Sequence, residues 1–183
     1  MWCKRAVALD RTTLLQRAAA IRLAVFDVDG VMTDGRLFRD DGGQEVKAFY
    51  SRDGLGLKAL KRNGIEVAAL TARTSPLVEV RMAELGIELL LQGREDKAAA
   101  VEELMDRAGS GKSQTSYAGD DLVDWPAMRL CGFKCAPADA CAWIRQRADF
   151  VTASPGGQGA AREVCERILE ARGLLAAWQD GFQ

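Results

Sequence analysis

Short apolar runs alternate along the chain with longer segments patterned for helices. The run Leu23–Phe26 has Arg22 before it and turn chemistry after it, which predicts a strand buried on both faces. Similar runs at 67–70, 88–91, 115–118, 133–136 and 150–151 predict further strands. Between them lie helix signals. Asp10 opens a short amphipathic helix over 10–20, and Asp53 caps one running to about Arg62, where Asn63-Gly64 stops it. Ser75 as N-cap and Pro76 as first residue begin a helix that ends at Gly86, and Asp96 caps another over 97–108. Pro126 lies in the first turn of a helix to Leu130, and helices over 139–147 and 160–172 close the series. Asp40-Asp41-Gly42-Gly43 separates strand-like runs 36–38 and 45–50, which predicts a hairpin carrying Lys47 on its return strand. Gly156 to Gly159 reads as a mobile loop. Strands alternating with helices this regularly predict an α/β fold with a doubly wound parallel sheet, Rossmann-like, whose strand C-termini share one edge. We divide the chain into an N-terminal helical extension over 1–20, one domain over 21–173 and a tail over 174–183.

Size and composition narrow the function. A chain of 183 residues that is 48% hydrophobic suffices for one domain with a real core. Its 25 basic and 26 acidic residues nearly cancel, so no general electrostatic footprint for nucleic acid or a membrane surface is expected. No signal peptide follows Lys4 and Arg5, and no segment reaches the roughly 18 apolar residues of a membrane span. The chain has no histidine, which excludes Ser-His-Asp and Cys-His catalysis and leaves proton transfer to carboxylates, Lys, Tyr or Cys. Five cysteines, Cys3, Cys131, Cys135, Cys141 and Cys165, show no Cys-x-x-Cys spacing. Reduced, mostly buried thiols in a cytoplasmic protein are expected rather than a zinc cluster.

The candidate chemistry gathers at the shared edge. Asp27 and Asp29 follow the first strand and repel one another unless a cation joins them, and Mg²⁺ suits such oxygen donors. Later strand ends supply Thr71, then Asp120 and Asp121, while Lys97 opens a helix. Singly, each has a plain structural explanation as a turn, cap or solvated residue. Jointly, in the order Asp-x-Asp, Thr, Lys, Gly-Asp-Asp, they suit phosphoryl transfer: a carboxylate nucleophile, a hydroxyl for a phosphate oxygen, and a lysine and metal against the accumulated negative charge.

That order resembles the four motifs of the haloacid dehalogenase superfamily of phosphohydrolases. A response-regulator receiver has a different order and lacks an acid/base two residues after the phosphoacceptor. The strings at 27–35, 47–49, 52–56, 119–126 and 156–164 extend the resemblance to the capless 3-deoxy-D-manno-octulosonate 8-phosphate phosphatases over roughly 22–172. The resemblance implies a haloacid dehalogenase-like core with no cap domain, and Mg²⁺-dependent hydrolysis of that sugar-acid phosphate for lipopolysaccharide core synthesis. It implies Asp27 as nucleophile and Asp29 as acid/base, with Thr71 and Lys97 as the other catalytic residues. Mg²⁺ would be held by the side chains of Asp27 and Asp120 and the backbone carbonyl of Asp29. Substrate contacts would come from Asp29, Tyr50, Ser51, Arg52, Asp53, Gly54, Lys58, Arg73, Arg81 and Lys97. It further implies a homotetramer whose sites are completed by neighbouring subunits, with hairpin 36–50 and the Gly-rich stretch serving assembly.

Ala72 stands where such phosphatases usually have Gly, and Gln158 where the Gly-rich stretch often carries Arg; neither touches the nucleophile or the metal ligands. Two other readings remain at this stage. One is a phosphatase for a nine-carbon sialic-acid-type 9-phosphate; the other is a non-catalytic phosphatase-like oligomerisation module.

Overall fold

A computed structural model describes residues 10–182; residues 1–9 of the extension, with Cys3, and Gln183 lie outside the described residues. In chain order the elements are α1 (Arg11–Ala19), β1 (Leu23–Phe26), β2 (Phe38–Arg39), β3 (Glu45–Val46), α2 (Ser51–Arg62), β4 (Glu66–Leu70), α3 (Pro76–Leu85), β5 (Leu89–Leu91) and α4 (Lys97–Ala108). They continue with β6 (Thr115–Ala118), α5 (Trp125–Met128), β7 (Phe133–Ala136), α6 (Ala142–Arg145), β8 (Phe150–Val151), α7 (Ala160–Ala171) and α8 (Leu175–Asp180).

Six strands form one sheet in the order β5-β4-β1-β6-β7-β8, and every pairing in it is parallel. The chain moves outward from β1 in one direction through β4 and β5, then in the other through β6, β7 and β8. β1 is therefore the point where strand order reverses, and a crevice opens beyond its C-terminal end. Ala24 and Phe26 of β1 and Val67 and Ala69 of β4 pack into the layer containing α1, α2, α3 and α7. Leu23, Val25, Ala68 and Leu70 face the other layer, with α4, α5 and α6. Burial on both faces is why these strands read as continuous apolar runs. Each large apolar side chain so enclosed contributes about 1.5–3 kcal/mol. On α7 the buried residues Ala160, Ala161, Val164, Cys165, Ile168 and Leu169 recur at helical spacing and lie against the first layer.

Several local expectations change. The hairpin strands are two residues long rather than spanning 36–38 and 45–50. The helix expected over 139–147 shrinks to Ala142–Arg145. The residues before it are tied outward instead: the Asp139 carboxylate accepts the Gly156 N–H at 2.9 Å, and the Cys141 N–H donates to the Asp120 carbonyl at 2.8 Å. The Gly-rich stretch, expected to be a mobile loop, is bonded to the turn after β1, where the Gly157 N–H donates to the Val31 carbonyl at 3.0 Å. α8 was not foreseen; its Trp178 ring lies beneath the Arg162 guanidinium, 4.4 Å from the ring centre. Cys131, Cys135 and Cys165 are buried free thiols, and Cys141 is half-buried and also free. Burial raises the Cys131 thiol to about 12, so it stays protonated. Among the described residues, no helix is long and apolar enough to cross a membrane.

Candidate active site

The site begins where β1 ends. The Asp27 N–H donates to the Ala118 carbonyl at 2.9 Å, extending the pairing with β6 by one residue, and the carboxylate is then enclosed at 4% exposure. The next residues, Val28–Met32, wind through one wide turn. Gly30 makes that turn possible in two ways: its φ is 101°, and a Cβ there would run into the Asp120 carboxylate. The turn brings Asp29 out beside β4, with its carboxyl half-buried.

Lys97, the first residue of α4, is 2% exposed and reaches across to the strand ends. Its Nζ donates to Asp27 Oδ1 at 2.7 Å and to Asp124 Oδ1 at 2.5 Å. Asp124 is wholly buried and fully used. Its Oδ1 also accepts the Tyr117 hydroxyl at 3.0 Å, and its Oδ2 accepts the N–H groups of Asp120 and Asp121 at 3.0 and 3.2 Å. Sequence reasoning gave Asp124 no role. The available signal was an acid four residues after Asp120, inside the string at 119–126 that carries part of the resemblance.

Electrostatics here are dominated by burial. Burial, and then the charge of Asp124, pushes Asp27 well above the usual carboxylate range despite Lys97. The same causes, with Asp121 adding to them, raise Asp120 to about 7. Burial alone would lower Lys97, but Asp27 and Asp124 outweigh it and the ammonium is held more firmly than usual. Burial also keeps Tyr117 a neutral phenol that can donate.

Carboxylate oxygens of Asp27, Asp120 and Asp124 lie within 4.8 Å of one another. Three acids face the single ammonium of Lys97, and Gly30 leaves space at Asp120 that a side chain would fill. Hard oxygen donors with surplus negative charge fit a divalent cation such as Mg²⁺.

On the other side of Asp29, Thr71 follows β4 and is buried. Its hydroxyl donates to Asp29 Oδ2 at 3.5 Å and accepts the Arg73 N–H at 3.1 Å. Arg73 places Nε 3.8 Å from Asp29 Oδ2 and donates from Nη2 to Glu45 Oε1 at 2.8 Å. Ser75 does not cap α3 with its side chain; its hydroxyl donates instead to Glu45 Oε2 at 2.6 Å. Asp27, Asp29, Thr71, Arg73, Lys97 and Asp120 are thus brought together.

The start of α2 is organised differently. Tyr50, Ser51 and Arg52 lie at or near its surface, and the Arg52 guanidinium is 5.8 Å from the Tyr50 ring centre. Asp53 does not cap its own helix. It is 2% exposed, and its Oδ1 accepts the Arg162 N–H at 2.7 Å, so it caps the first turn of α7. Burial raises it to about 6 against the pull of that bond and of Arg162 and Arg81. A Cβ on Gly54 would press on the Arg81 guanidinium, which itself holds Glu84 at 3.0 Å and lies 5.9 Å from the Phe49 ring centre. Lys58 is half-buried one turn further along α2. Arg81 therefore engages the start of α2 rather than the acidic cluster.

Fold and site together define a capless haloacid dehalogenase-like phosphohydrolase. No family model matches the chain. A 3-deoxy-D-manno-octulosonate 8-phosphate phosphatase of Salmonella typhi is 44% identical over 164 residues, covering 90% of this chain and 87% of its own. The phosphatase of that name from Moraxella catarrhalis, solved with magnesium ion, phosphate ion and a KDO molecule, superposes with a TM-score of 0.92. It is 42% identical, over 95% of this chain and all of its own. A cobalt-bound deoxy-D-mannose-octulosonate 8-phosphate phosphatase from Haemophilus influenzae has a TM-score of 0.88 and 43% identity, covering 91% of this chain and 99% of its own. The chain belongs to the 3-deoxy-D-manno-octulosonate 8-phosphate phosphatase family.

Proposed function

We propose that this protein hydrolyses 3-deoxy-D-manno-octulosonate 8-phosphate to 3-deoxy-D-manno-octulosonate and phosphate, dependent on Mg²⁺, in lipopolysaccharide core sugar synthesis. The observation that carries the reading is the enclosed Asp27 carboxylate at the tip of β1, paired with Lys97 at 2.7 Å and followed two residues later by Asp29. An Asp27 oxygen attacks phosphorus while the bond to the sugar oxygen breaks, and Asp29 gives that oxygen its proton. Water then attacks phosphorus, Asp29 takes the water's proton, and the acyl-phosphate bond breaks to release phosphate and regenerate Asp27. Thr71 holds a non-bridging oxygen, and Lys97 offsets charge on Asp27 and the phosphoryl group. Mg²⁺ would be held by Asp27, the Asp29 carbonyl and Asp120, and when bound it supplies positive charge against the phosphoryl oxygens.

The far end of the substrate carries a carboxylate, and Arg guanidinium forks suit both that group and phosphate. We assign the substrate contacts to Asp29, Tyr50 to Gly54, Lys58, Arg73, Arg81 and Lys97. Asp53 serves there by fixing the start of α2 against α7. Leu37, Phe38 and Val46 on the hairpin are 58%, 46% and 53% exposed in the single chain, which supports a homotetramer built through that hairpin and completing the open site. The buried free thiols Cys131, Cys135 and Cys165 favour a reducing, cytoplasmic setting, and the near-neutral charge favours a small-molecule substrate, without nucleic acid or membrane as partner.

The test is phosphate release from a panel of sugar phosphates, with and without Mg²⁺, for wild type and Asp27→Asn. Mg²⁺-dependent turnover of the eight-carbon substrate, reduced roughly 10⁴-fold or more in the variant, is expected. Preference for a nine-carbon 9-phosphate would keep the mechanism and change the substrate. No turnover by wild type would leave the non-catalytic module as the better description.

A further inference from the structure

Lys47 sits on the return side of the hairpin with its side chain only 3% exposed. Lysines are rarely enclosed unless their ammonium is paired. Here the Nζ donates to Asp29 Oδ1 and lies 3.5 Å from Glu45 Oε1. Arg73 reaches the same two carboxylates, at 2.8 Å to Glu45 Oε1 and 3.8 Å to Asp29 Oδ2. Asp29, Lys47, Glu45 and Arg73 therefore form a closed ring in which acid and base alternate. The Ser75 hydroxyl, at 2.6 Å from Glu45 Oε2, fastens the ring to the start of α3.

The ring has a consequence for Asp29. That residue stands on a turn just before Gly30, with no strand or helix to fix its side chain. Lys47 bonds one carboxyl oxygen, and the Arg73 guanidinium faces the other as an ion pair at 3.8 Å. A carboxyl bonded by a cation at one oxygen and faced by a second cation at the other has a favoured orientation, and holding a proton donor in line with its target is a large part of its effect. We propose that Lys47 and Glu45 are positioning residues: through the ring, each subunit's own hairpin orients the Asp29 carboxyl for proton delivery to the leaving oxygen. The inference rests on the reading of Asp29 as the acid/base. It gives the hairpin a task inside its own subunit, separate from assembly.

The test compares two substrates whose leaving groups differ in their need for a proton. A sugar alkoxide must be protonated as it leaves, whereas 4-nitrophenolate departs without help. The kcat/KM for each reports the step that releases the leaving group. With Mg²⁺ present, Lys47→Met is expected to lose about 100-fold in kcat/KM on 3-deoxy-D-manno-octulosonate 8-phosphate but less than about 5-fold on 4-nitrophenyl phosphate. Lys47→Arg, which keeps a cation in the ring, should recover most of the loss. Glu45→Gln should show a smaller loss with the same bias toward the sugar phosphate; it also serves should Lys47→Met fail to fold. Equal losses on both substrates would mean the ring only anchors the hairpin, and would overturn the inference while leaving the phosphatase reading intact. Failure of the wild type to hydrolyse either compound would instead overturn the reading on which it rests.

Discussion

The ammonium of Lys97 lies 2.5 Å from Asp124 Oδ1, and this contact fixes where the lysine stands relative to Asp27. The other oxygen of Asp124 is committed to the N–H groups of Asp120 and Asp121. One buried carboxylate thus links the lysine to the backbone that presents a candidate metal ligand. In Asp124→Asn, the amide oxygen must keep those two N–H groups, which turns the amide NH₂ toward Lys97. The lysine then loses a charge-assisted bond. We expect kcat to fall about 10- to 100-fold with KM nearly unchanged, the usual cost of losing a partner behind the reacting groups. Turning an amide NH₂ toward a buried ammonium costs stability, offset in part by relief of the repulsion that raises Asp27 and Asp120, so the metal-free variant should melt somewhat below wild type. Steady-state kinetics and a melting curve check both halves; a large stability loss with unchanged kcat would contradict the assignment.

Mg²⁺ binding should itself stabilise the fold, and more so at higher pH. Asp120, raised to about 7 by burial and its acidic neighbours, is substantially protonated below neutrality. A metal binding there must displace that proton, so its affinity falls as pH falls. At saturating Mg²⁺, about 100 times the dissociation constant, the gain is about 2.7 kcal/mol. The rise in Tm on adding a fixed Mg²⁺ concentration should be clearly larger at pH 8 than at pH 6. Equal shifts at the two values would count against Asp120 as a ligand.

How much of this was legible follows from what kind of signal each feature leaves. β1 and β4 announced themselves because burial on both faces makes their residues uniformly apolar, and Asp96 capped α4 as expected by accepting the Ala99 N–H at 3.1 Å. The parallel order and the edge gathering Asp27, Thr71, Lys97 and Asp120 follow from that alternation. Ser75 and Asp53 read equally well as caps of their own helices, but partners 30 and 109 residues away claimed their side chains. Local pattern cannot see such competition. Nor could it see that Lys47 and Glu45, ordinary hairpin charges in sequence, would be enclosed against Asp29. Nor could it see the contact that the Gly-rich stretch makes, since glycine permits both mobility and close approach.

Gly156 illustrates that contact. A Cβ at this position would collide with the Gly30 carbonyl and come within 3.1 Å of the Thr33 carbonyl oxygen, so the loop packs against the turn that follows Asp27. Neither obstacle is the flexible end of a side chain. Gly156→Ala must push the turn or the loop aside, at a cost of about 1–3 kcal/mol typical of overpacking. Since Gly30 borders Asp120, the displacement should also weaken Mg²⁺ binding. Chemical denaturation and a Mg²⁺ titration should both register the change; a variant normal in both would mean the loop yields freely.

Asp53 supplies a pH test remote from the metal. It is faced by the Arg162 N–H and guanidinium and the Cys165 thiol from α7, and by Arg81 from α3, yet burial prevails and raises it to about 6. Unfolded, it titrates near 3.9. Between those values the folded chain holds a proton that the unfolded chain has released, so stability falls as pH rises through that window and levels off above about 6.5. Asp53→Asn keeps an oxygen for the Arg162 N–H and removes the charge. Its Tm relative to wild type should therefore climb from pH 4.5 to pH 6.5 and then stay constant. Asp53→Ala, which leaves that N–H without its acceptor, should be less stable than Asp53→Asn throughout, by about 1–3 kcal/mol. Melting curves of the three proteins in metal-free buffers across that range decide it. A flat difference between wild type and Asp53→Asn would mean that Asp53 is ionised throughout and that the helix N-termini outweigh its burial.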